Sequence, residues 1–572
     1  MKRQKLKAEI RTENKINPPS PPFSKGGMGR FDRKKIAQLI IARLDGKDIN
    51  KKFKYYESLV KKGIGGFIIF GGKLKEVSKA IKKLQDSAET PLFIAADLEQ
   101  GLGQHIEGGT LFPPPMAVAQ AINPKNKKDV ALLRKSINII AREAKAAGIN
   151  IIFAPVLDVN TNPQNPIICT RAFSDNPKKV AGFGNEFIRG FQKNGIIACG
   201  KHFPGHGDTI KDSHRELPIV HAGNKRLNNI ELYPFSQAIT AGVKMIMLGH
   251  LKVPALDSRL PVTLSRKIIQ GILKEKMKFK GLVITDAMNM KAISMPEEKA
   301  CLMALNAGAD ILLHPGNPEK IIDYLYSRLD EIKPRVEESY QRIIKAKEEL
   351  NRGQRSEVRG QKIGSKSHQA IAKELTQKSI KIISNLKIPL SPPLPKGEIL
   401  FPSLVKRDKG RFYKRISLKS TESEKLIVLV IDDDNAKSGK PFVNALRKKF
   451  SKINACYVDN KTISSKNPPI PPLSKGEILF PSLVKRGKGR FYKGGFLIIA
   501  VFSKISAWKG RSGLSGSLEK ILKKAVRNSE YSVIAGFCCP YFLRKFNADV
   551  IIEAYSDSEQ AQKAAAEVLA GP

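Results

Sequence analysis

The residues best suited to chemistry lie in one polar stretch, KHFPGHGDTIKDSHRELP at 201–218, directly after a run of strand-like apolar residues. Five of its side chains are of types that bind a catalytic zinc ion: His202, His206, His214, Asp208 and Asp212. The HFPGH spacing matches the i, i+4 pair that a helix presents to zinc, but Pro204 and Gly205 lie inside it and disfavour that helix. We therefore expect no metal ion at this site.

Acid–base chemistry is the second interpretation of this stretch. Residues 205–216 are expected to form a loop that brings Asp212 and His214 over a pocket. An aspartate two residues from a histidine can accept a hydrogen bond from Nδ1–H, fix the tautomer and favour the protonated imidazole. Alone, the stretch would be a solvated loop with incidental histidines. Asp286 supports the chemical interpretation, because a carboxylate ending the run GLVITD can attack an anomeric carbon and leave when the glycosyl ester is hydrolysed.

Strands must position these side chains. Between residue 32 and about residue 330, segments of helical periodicity alternate with seven apolar runs: GFIIF, PLFIAAD, NIIFAPVLD, IIACGKH, VKMIMLGH, GLVITD and ADILLH. Continuous apolar runs are typical of parallel strands buried on both faces. Polar residues at their ends would meet at one rim of a (β/α)8 TIM-like barrel: Asp97, Asp158, Lys201, His202, His250, Asp286 and His314. A doubly wound open sheet is the alternative, but no phosphate-binding glycine fingerprint follows any of the runs.

Two segments show clear helical periodicity. RKKIAQLIIARLDG, residues 33–46, would place on one helix face Ile36, Leu39, Ile40 and Leu44. KKVAGFGNEFIRGF, residues 178–191, would do the same with Val180, Phe183, Phe187 and Phe191. Both helices are expected to cover the sheet.

The chain divides by composition into four parts. They are a disordered basic and proline-rich tail at 1–31, the catalytic barrel at 32–350, a linker at 351–365 and a smaller α/β domain of αβα sandwich type at 366–572. The strands of the second domain are expected in KLIVLVID, INACYVD, GFLIIAVF, SVIAGF and ADVIIEAYS, and its helices include SLEKILKKAVRN and SEQAQKAAAEVLAG.

One segment of the second domain occurs twice. PPLPKGEILFPSLVKRDKGRFYK at 392–414 returns as PPLSKGEILFPSLVKRGKGRFYK at 471–493, and a shorter relative, PPFSKGGMGRF, occupies 21–31. Scattered copies cannot stack as a solenoid, and their prolines and basic residues leave little to bury. We therefore expect poorly ordered inserts at about 389–415 and 466–494. The alternative is that KRxKGRFYK, with aromatic residues among basic ones, binds nucleic acid.

The chain has 572 residues, 41% of them hydrophobic, and a net charge of 100 − 53 = +47. Its lysines are spread over nearly all segments, which indicates a diffusely basic surface rather than a nucleic-acid partner. The first fifteen residues contain no apolar stretch of signal-peptide length, and no run reaches the roughly 18 apolar residues of a membrane span. Six cysteines without a CxxC pair fit small buried residues in a reducing compartment. We expect a cytoplasmic location and no membrane contact.

Taken together, these motifs resemble glycoside hydrolase family 3, in particular its β-N-acetylglucosaminidase branch. KHFPGHGDT followed by DSH is the most specific match, and the supporting matches are KIAQLI at 35–40, DLEQG at 97–101, APVLDVNTNPQNP at 154–166, RAFSDNP at 171–177 and ITDAMNM at 284–290. The resemblance covers residues 32 to about 350 in consistent order and the second domain more loosely, through AVFSKISAWKG and AGFCCPYFL.

The resemblance implies a retaining exo-β-glycosidase without a cofactor. Asp286 would be the nucleophile and His214 the acid/base, with Asp212 as its orienting partner. Four residues would hold sugar hydroxyls: Asp97, Arg171, Lys201 and His202. A histidine near its ordinary pKa of ~6.5 can protonate a leaving oxygen and then deprotonate water at neutral pH. The DSH loop favours an N-acetylated sugar of cell-wall type, as in peptidoglycan recycling.

The sequence leaves several alternatives open. Related enzymes often carry an arginine where this chain has His105, which leaves substrate choice in question. Glu99 is as suited to bracing the loop as to touching substrate. A phosphorylase or a β-glucosidase of the same fold is an alternative, and a non-catalytic protein that binds saccharide or nucleic acid is an alternative of another class. His250 and His314 are interpreted as satisfied rim residues and the Asp432–Asp434 run as a solvated turn. The oligomeric state cannot be derived.

Overall fold

The computed structural model describes residues 28–211, 213, 216–353, 362–384, 426–434, 438–450, 453–461, 496–504, 509–529 and 531–570. The chain up to residue 27, both inserts expected from the sequence, and Asp212, His214 and Arg215 lie outside these ranges. The predictions made for those segments therefore stay predictions.

Eight parallel strands close into a barrel in which each strand pairs with its neighbour in sequence and the eighth pairs with the first. They are β1 (Ile40–Asp45), β2 (Gly66–Phe70), β3 (Phe93–Ala96), β4 (Ile151–Ile152), β5 (Ile197–Phe203), β6 (Met245–Leu248), β7 (Leu282–Ala287) and β8 (Ile311–Leu313). All seven apolar runs contain a barrel strand. The predicted (β/α)8 barrel is confirmed, and the open sheet is excluded.

Helices alternate with these strands. They are α1 (Met28–Gln38), α2 (Phe53–Lys61), α3 (Leu74–Asp86), α4 (Pro115–Ala121), α5 (Lys127–Ala146), α6 (Pro177–Lys193), α7 (Asn224–Asn229), α8 (Tyr233–Thr240), α9 (Glu297–Ala307), α10 (Pro318–Ser327) and α11 (Leu329–Gly353). A π-helix spans Lys267–Lys276. None of the described helices combines the length and apolarity that a membrane crossing requires.

Helix α6 shows how sequence specifies these elements. The Asn176 side chain accepts hydrogen bonds from the backbone N–H groups of Lys178 and Lys179, and Pro177 occupies the first turn, where its missing N–H costs nothing. The predicted apolar face of this helix is buried: Val180, Phe183, Phe187 and Phe191. Each fully buried side chain of this kind contributes about 1.5–3 kcal/mol. Together the four side chains hold the helix against the barrel.

The helix predicted for residues 33–46 is wrong in its second half, where the chain forms strand β1. Helix α1 ends at Gln38, and β1 begins at Ile40 and pairs with β2 and β8. In LIIARLD the helical period coincides with a continuous apolar run, so periodicity alone cannot separate the two structures. Pairing on both sides decides in favour of the strand, because the barrel would otherwise have two open edges.

The second domain is a six-stranded sheet in the order β11-β10-β12-β13-β14-β9. Its strands are β9 (Lys381–Ser384), β10 (Leu426–Asp432), β11 (Ile453–Asp459), β12 (Phe496–Phe502), β13 (Tyr531–Phe537) and β14 (Val550–Glu553). Its helices are α12 (Lys366–Ser379), α13 (Lys440–Arg447), α14 (Gly516–Asn528), α15 (Pro540–Leu543) and α16 (Glu559–Ala570). An apolar core lies on each face of the sheet, as a sandwich requires. Among the described strands of this domain, the sequence missed β9, a short antiparallel edge strand.

The run Asp432–Asp434 is not the solvated turn expected from the sequence. The Asp433 carboxylate is buried and lies 2.7 Å from Lys509 Nζ and 2.9 Å from Arg511 Nη2. It also accepts a hydrogen bond from the backbone N–H of Ser515. The cations that compensate it follow β12, two strands later in the chain, so the local sequence could not reveal them.

Two of the six cysteines form a disulfide that joins the domains. Cys169 of the barrel is bonded to Cys539 of the second domain, 370 residues later. Spacing in the sequence gave no sign of this pair. Cys199, Cys301 and Cys538 are free and buried, as expected, whereas Cys456 is half-buried.

Lys347 on α11 is buried, and no carboxylate of the described ranges forms an ion pair with it. Its ammonium donates to Gln38 Oε1 at 2.7 Å and to the Gly65 carbonyl at 2.8 Å, and it lies 4.8 Å from the centre of the Phe93 ring. Burial lowers the pKa of Lys347 to about 7. This amine is therefore substantially neutral in the folded protein at pH values where it is charged in the unfolded chain.

We expect the stability of the protein to carry a pH dependence from Lys347. Between the folded pKa of about 7 and the unfolded value near ~10.4, the unfolded chain binds more protons, so this group's contribution to unfolding free energy rises with pH by up to about 1.4 kcal/mol per unit. Melting temperatures of wild type and Lys347→Met at pH 7, 8 and 9 measure this. The difference between the two proteins should change steadily with pH; a constant difference would contradict the assignment.

Candidate active site

A buried lysine organises one side of the rim formed by the C-terminal ends of the strands. Lys201 on β5 is 1% exposed, and its ammonium lies 2.6 Å from Asp97 Oδ1 and 2.7 Å from Glu99 Oε1. Burial lowers the pKa of Lys201, but the two carboxylates outweigh it and raise the pKa. Asp97, just past β3, keeps 27% of its side chain exposed. Lys201 therefore lies behind Asp97 and holds it, while Asp97 faces the open space.

Arg171 extends this charge network. Its Nε and Nη2 lie 2.9 and 2.8 Å from the two oxygens of Glu99, a bidentate pair. Burial raises the pKa of Glu99, but the charges of Arg171 and Lys201 outweigh it and hold the pKa well below its usual range. Of the two roles considered for Glu99, the geometry shows bracing: it joins Arg171 to Lys201. The partly exposed guanidinium and Asp97 present a donor and an acceptor to a polyol.

His202 and His206 share one buried carboxylate. His202 Nδ1 lies 2.8 Å from Asp158 Oδ2, and the His206 backbone N–H donates to Asp158 Oδ1 at 2.7 Å. Burial raises the pKa of Asp158, but these contacts outweigh burial and lower it. With Nδ1–H donated to Asp158, His202 has Nε2 left for another partner.

His206 connects the rim to the loop that carries the sequence-predicted acid. Its Nδ1 lies 2.7 Å from Thr209 Oγ1, and its Nε2 lies 3.3 Å from Ser213 Oγ. Burial lowers the pKa of His206 to about 4, so the ring is neutral near neutral pH and binds both hydroxyls as a neutral imidazole. Ser213 stands between Asp212 and His214, which lie outside the described residues. The contact nevertheless brings the tip of the loop to the rim.

Asp286 stands on the other side of this rim. It lies near the end of β7, is half-buried, and accepts a hydrogen bond from the Ala287 N–H at 2.8 Å through Oδ1. Burial lowers the pKa of both His206 and His314, and the negative charge of Asp286 opposes that shift in both rings. The strand end is supported by His250, whose Nε2 lies 3.0 Å from the Ala287 carbonyl and whose Nδ1 lies 2.8 Å from Thr263 Oγ1.

His105 and His314 line the edge of the network. The rings of His105 and His314 both lie against Phe70, with centroids 5.8 and 6.0 Å away. Burial lowers the pKa of His105 despite the neighbouring carboxylates of Asp97 and Glu99. Burial also lowers the pKa of His314, to about 4. These shifts favour the neutral form of both rings.

Metal chemistry gains no support from this geometry. Within the described ranges, no three His, Cys, Asp or Glu side chains are grouped as ligands. His202 and His206 instead direct ring nitrogens to Asp158, Thr209 and Ser213. The prediction that the site has no metal stays a prediction.

Arg226 is a positioning residue that the sequence did not single out. From the short helix α7 its Nη2 lies 2.7 Å from Asp208 Oδ1, and its Nε lies 3.2 Å from Glu231 Oε1. Asp208 also accepts a hydrogen bond from Thr161 Oγ1 at 3.0 Å. These contacts hold the start of the loop. No local pattern predicts them, because the partners come from three separate segments.

Comparison with known families agrees with this arrangement. The family model described as glycosyl hydrolase family 3 N terminal domain matches residues 32–346, more than half of the chain. The chain belongs to glycosyl hydrolase family 3. Asp97, Arg171, Lys201, His202 and Asp286 all lie within the matched region.

Individual proteins match slightly more of the chain. It is 32% identical to β-hexosaminidase A of Pseudoalteromonas piscicida over 366 residues, 58% of this chain and 61% of that protein. It is 29% identical to a β-N-acetylglucosaminidase/β-glucosidase of Cellulomonas fimi over 339 residues, 56% of this chain and 59% of that protein. The chain thus spans about three fifths of each relative. The structure of a family 3 β-N-acetylglucosaminidase from a Paenibacillus species superposes with a TM-score of 0.72 and 25% identity, over 94% of this chain and 98% of that one.

Proposed function

We propose that the protein is a retaining exo-β-N-acetylglucosaminidase that releases terminal N-acetylglucosamine from cell-wall-type saccharides, as in peptidoglycan recycling. The observation that carries the proposal is the half-buried carboxylate of Asp286 on the same rim as the Asp97–Arg171–Lys201 network. Relatives named β-hexosaminidase and β-N-acetylglucosaminidase support the choice of sugar. The partner is a saccharide; we propose no nucleic-acid or membrane partner.

The proposed reaction has two steps. The Asp286 carboxylate attacks the anomeric carbon while His214 gives a proton to the departing glycosidic oxygen, which leaves a glycosyl ester on Asp286. His214 then takes a proton from water, whose oxygen attacks the same carbon and releases Asp286. Two inversions restore the original configuration. Asp97 and Arg171 hold sugar hydroxyls so that the reacting atoms stay in line.

A leaving-group series in His214→Ala tests the acid role. We expect the variant to lose about 10²-fold or more on saccharides with poor leaving groups, the usual contribution of general acid catalysis, and much less on activated aryl N-acetylglucosaminides. Asp212→Asn should follow the same trend more weakly. Equal losses on both substrate types would contradict His214 as the acid.

Substrate and acceptor are tested in the same assay. Chromogenic N-acetylglucosaminide should be cleaved faster than the matching glucoside; the reverse preference would favour the β-glucosidase. Production of sugar 1-phosphate in phosphate buffer would identify a phosphorylase, and absence of all turnover would favour a binding protein.

We also propose a cytoplasmic location. Disulfides are rare in cytosolic proteins, so the Cys169–Cys539 bond weighs against it and provides a test. In cells alkylated before lysis, thiols at both positions agree with the cytoplasm, and a disulfide contradicts it.

A further inference from the structure

The second domain touches the substrate side of the barrel at a single-turn 3-10 helix, Cys169–Arg171. The Cys169 side chain lies in the apolar core of the second domain, together with Leu518 and Phe542. There it is bonded to Cys539, which directly precedes helix α15. A residue of the barrel is thus both buried in and covalently bonded to the other domain.

Arg171 stands on the same turn, two residues from the disulfide. Its guanidinium holds Glu99 through two hydrogen bonds and reaches the Ile167 carbonyl at 3.3 Å. The Asn165 Oδ1 accepts hydrogen bonds from the Ile167 and Ile168 N–H groups at 3.0 and 2.7 Å. The segment is therefore held at its start by Asn165, and Cys169 holds it just before Arg171.

The backbone of the turn is in a conformation that its own sequence does not favour. Cys169 has φ 35°, in the left-handed region that residues with a Cβ rarely adopt. Such a conformation persists only when the surroundings impose it. The surroundings here are the core of the second domain and the bond to Cys539, so release of the bond would allow the turn to relax.

Further contacts make the second domain a fixed support for this turn. Met116 and Ala117 of helix α4 pack with Tyr555, and Tyr541 packs beside them. Ser512 Oγ donates to the Pro163 carbonyl at 3.5 Å. Helix α4 packs against the turn, and Pro163 precedes it by six residues in the chain.

We infer that the second domain is a positioning part of the substrate site, which holds Arg171 in place through the Cys169–Cys539 disulfide. The inference rests on the proposed function, because Arg171 acts as a sugar-binding residue there. Neither cysteine touches substrate. Loss of the bond misplaces the guanidinium relative to Asp97 and weakens substrate binding, while Asp286 on β7 keeps its position.

The test compares the oxidised protein with its reduced form and with Cys539→Ala. A dithiol reductant gives the disulfide two electrons and two protons, so that Cys169 and Cys539 become thiols and the reductant becomes a disulfide. Mass spectrometry of alkylated peptides verifies each state. Both the reduced protein and Cys539→Ala are expected to show a KM raised by about tenfold with kcat within about twofold, because a small misplacement weakens binding without removing the nucleophile. Cys538→Ala, the buried free neighbour, is the matched control and should keep the wild-type KM.

A cycle with Arg171→Met separates positioning from general destabilisation. In the Arg171→Met background, reduction or Cys539→Ala should no longer change KM, because the side chain through which the bond acts is gone. A KM that is insensitive to reduction in the wild-type background, a KM effect that persists without Arg171, or failure of the two cysteines to form a disulfide in the purified protein kept without reductant would each overturn the inference. Failure of the proposed function is distinguishable, since it would appear as absence of glycoside turnover in every form of the protein.

Discussion

Replacement of Asp286 with asparagine is expected to lower kcat by about 10⁴-fold or more, the scale seen when a catalytic nucleophile is removed. The amide is nearly the same size as the carboxylate, and its oxygen can still accept the hydrogen bond from the Ala287 N–H. It cannot displace the leaving group to form a glycosyl ester. The melting temperature should therefore change little while turnover is lost.

Asp45→Asn is the matched control for this variant. Asp45 also ends a barrel strand at the same rim, but it pairs with Arg43. Its replacement should leave kcat within a few-fold of wild type. A fluorinated glycoside should trap the intermediate on the peptide that contains Asp286; a label on another peptide would remove Asp286 from the nucleophile role.

Glu99→Gln is expected to have the second-largest effect, on both stability and KM. Glu99 is 5% exposed and pairs with two cations, the buried Lys201 and the partly exposed Arg171. Removal of one partner from a fully buried ion pair costs about 3–5 kcal/mol. The cost here should be smaller, because Lys201 keeps its contact with Asp97 and Arg171 is partly exposed to solvent. Arg171 also loses the bidentate contact that orients it, so substrate binding should weaken as well.

Thermal unfolding and KM measured on the same preparation test this expectation. We expect a melting temperature several degrees lower and a KM raised by at least about tenfold, the response to a misplaced binding group. Glu107→Gln, an exposed carboxylate nearby in sequence, should behave as wild type. If Glu99→Gln kept both values, the charge network would not be the element that holds Arg171.

The sequence predicted those parts of the molecule that depend on local patterns. Continuous apolar runs predicted seven of the eight barrel strands, and the polar residues after them predicted which side chains meet at the rim. Asp97 and Lys201 were expected there independently, and they lie 2.6 Å apart. This works because strand ends in a closed parallel barrel must share one rim.

The features that sequence could not predict depend on residues distant in the chain. The sequence allows two roles for Glu99, and only its contact with Arg171, 72 residues later, shows that it braces the network. The sequence predicts a solvated Asp433 because the cations that pair with it, Lys509 and Arg511, follow a strand more than 60 residues later. Strand β1 was mistaken for helix because only its pairing with β8 decides the matter. In each case tertiary contact overrides a local preference.

The disulfide between Cys169 and Cys539 joins the chain between these two residues into a covalent ring that contains most of the protein. The ring contains β5 to β8, the connection between the domains, and the residues at 392–414 and 471–493. A protease that cuts the chain at any one point within this ring leaves a single molecule of unchanged mass, apart from one added water. The fragments separate only when the bond is reduced, so the protein can survive a cut between its domains with both halves still joined.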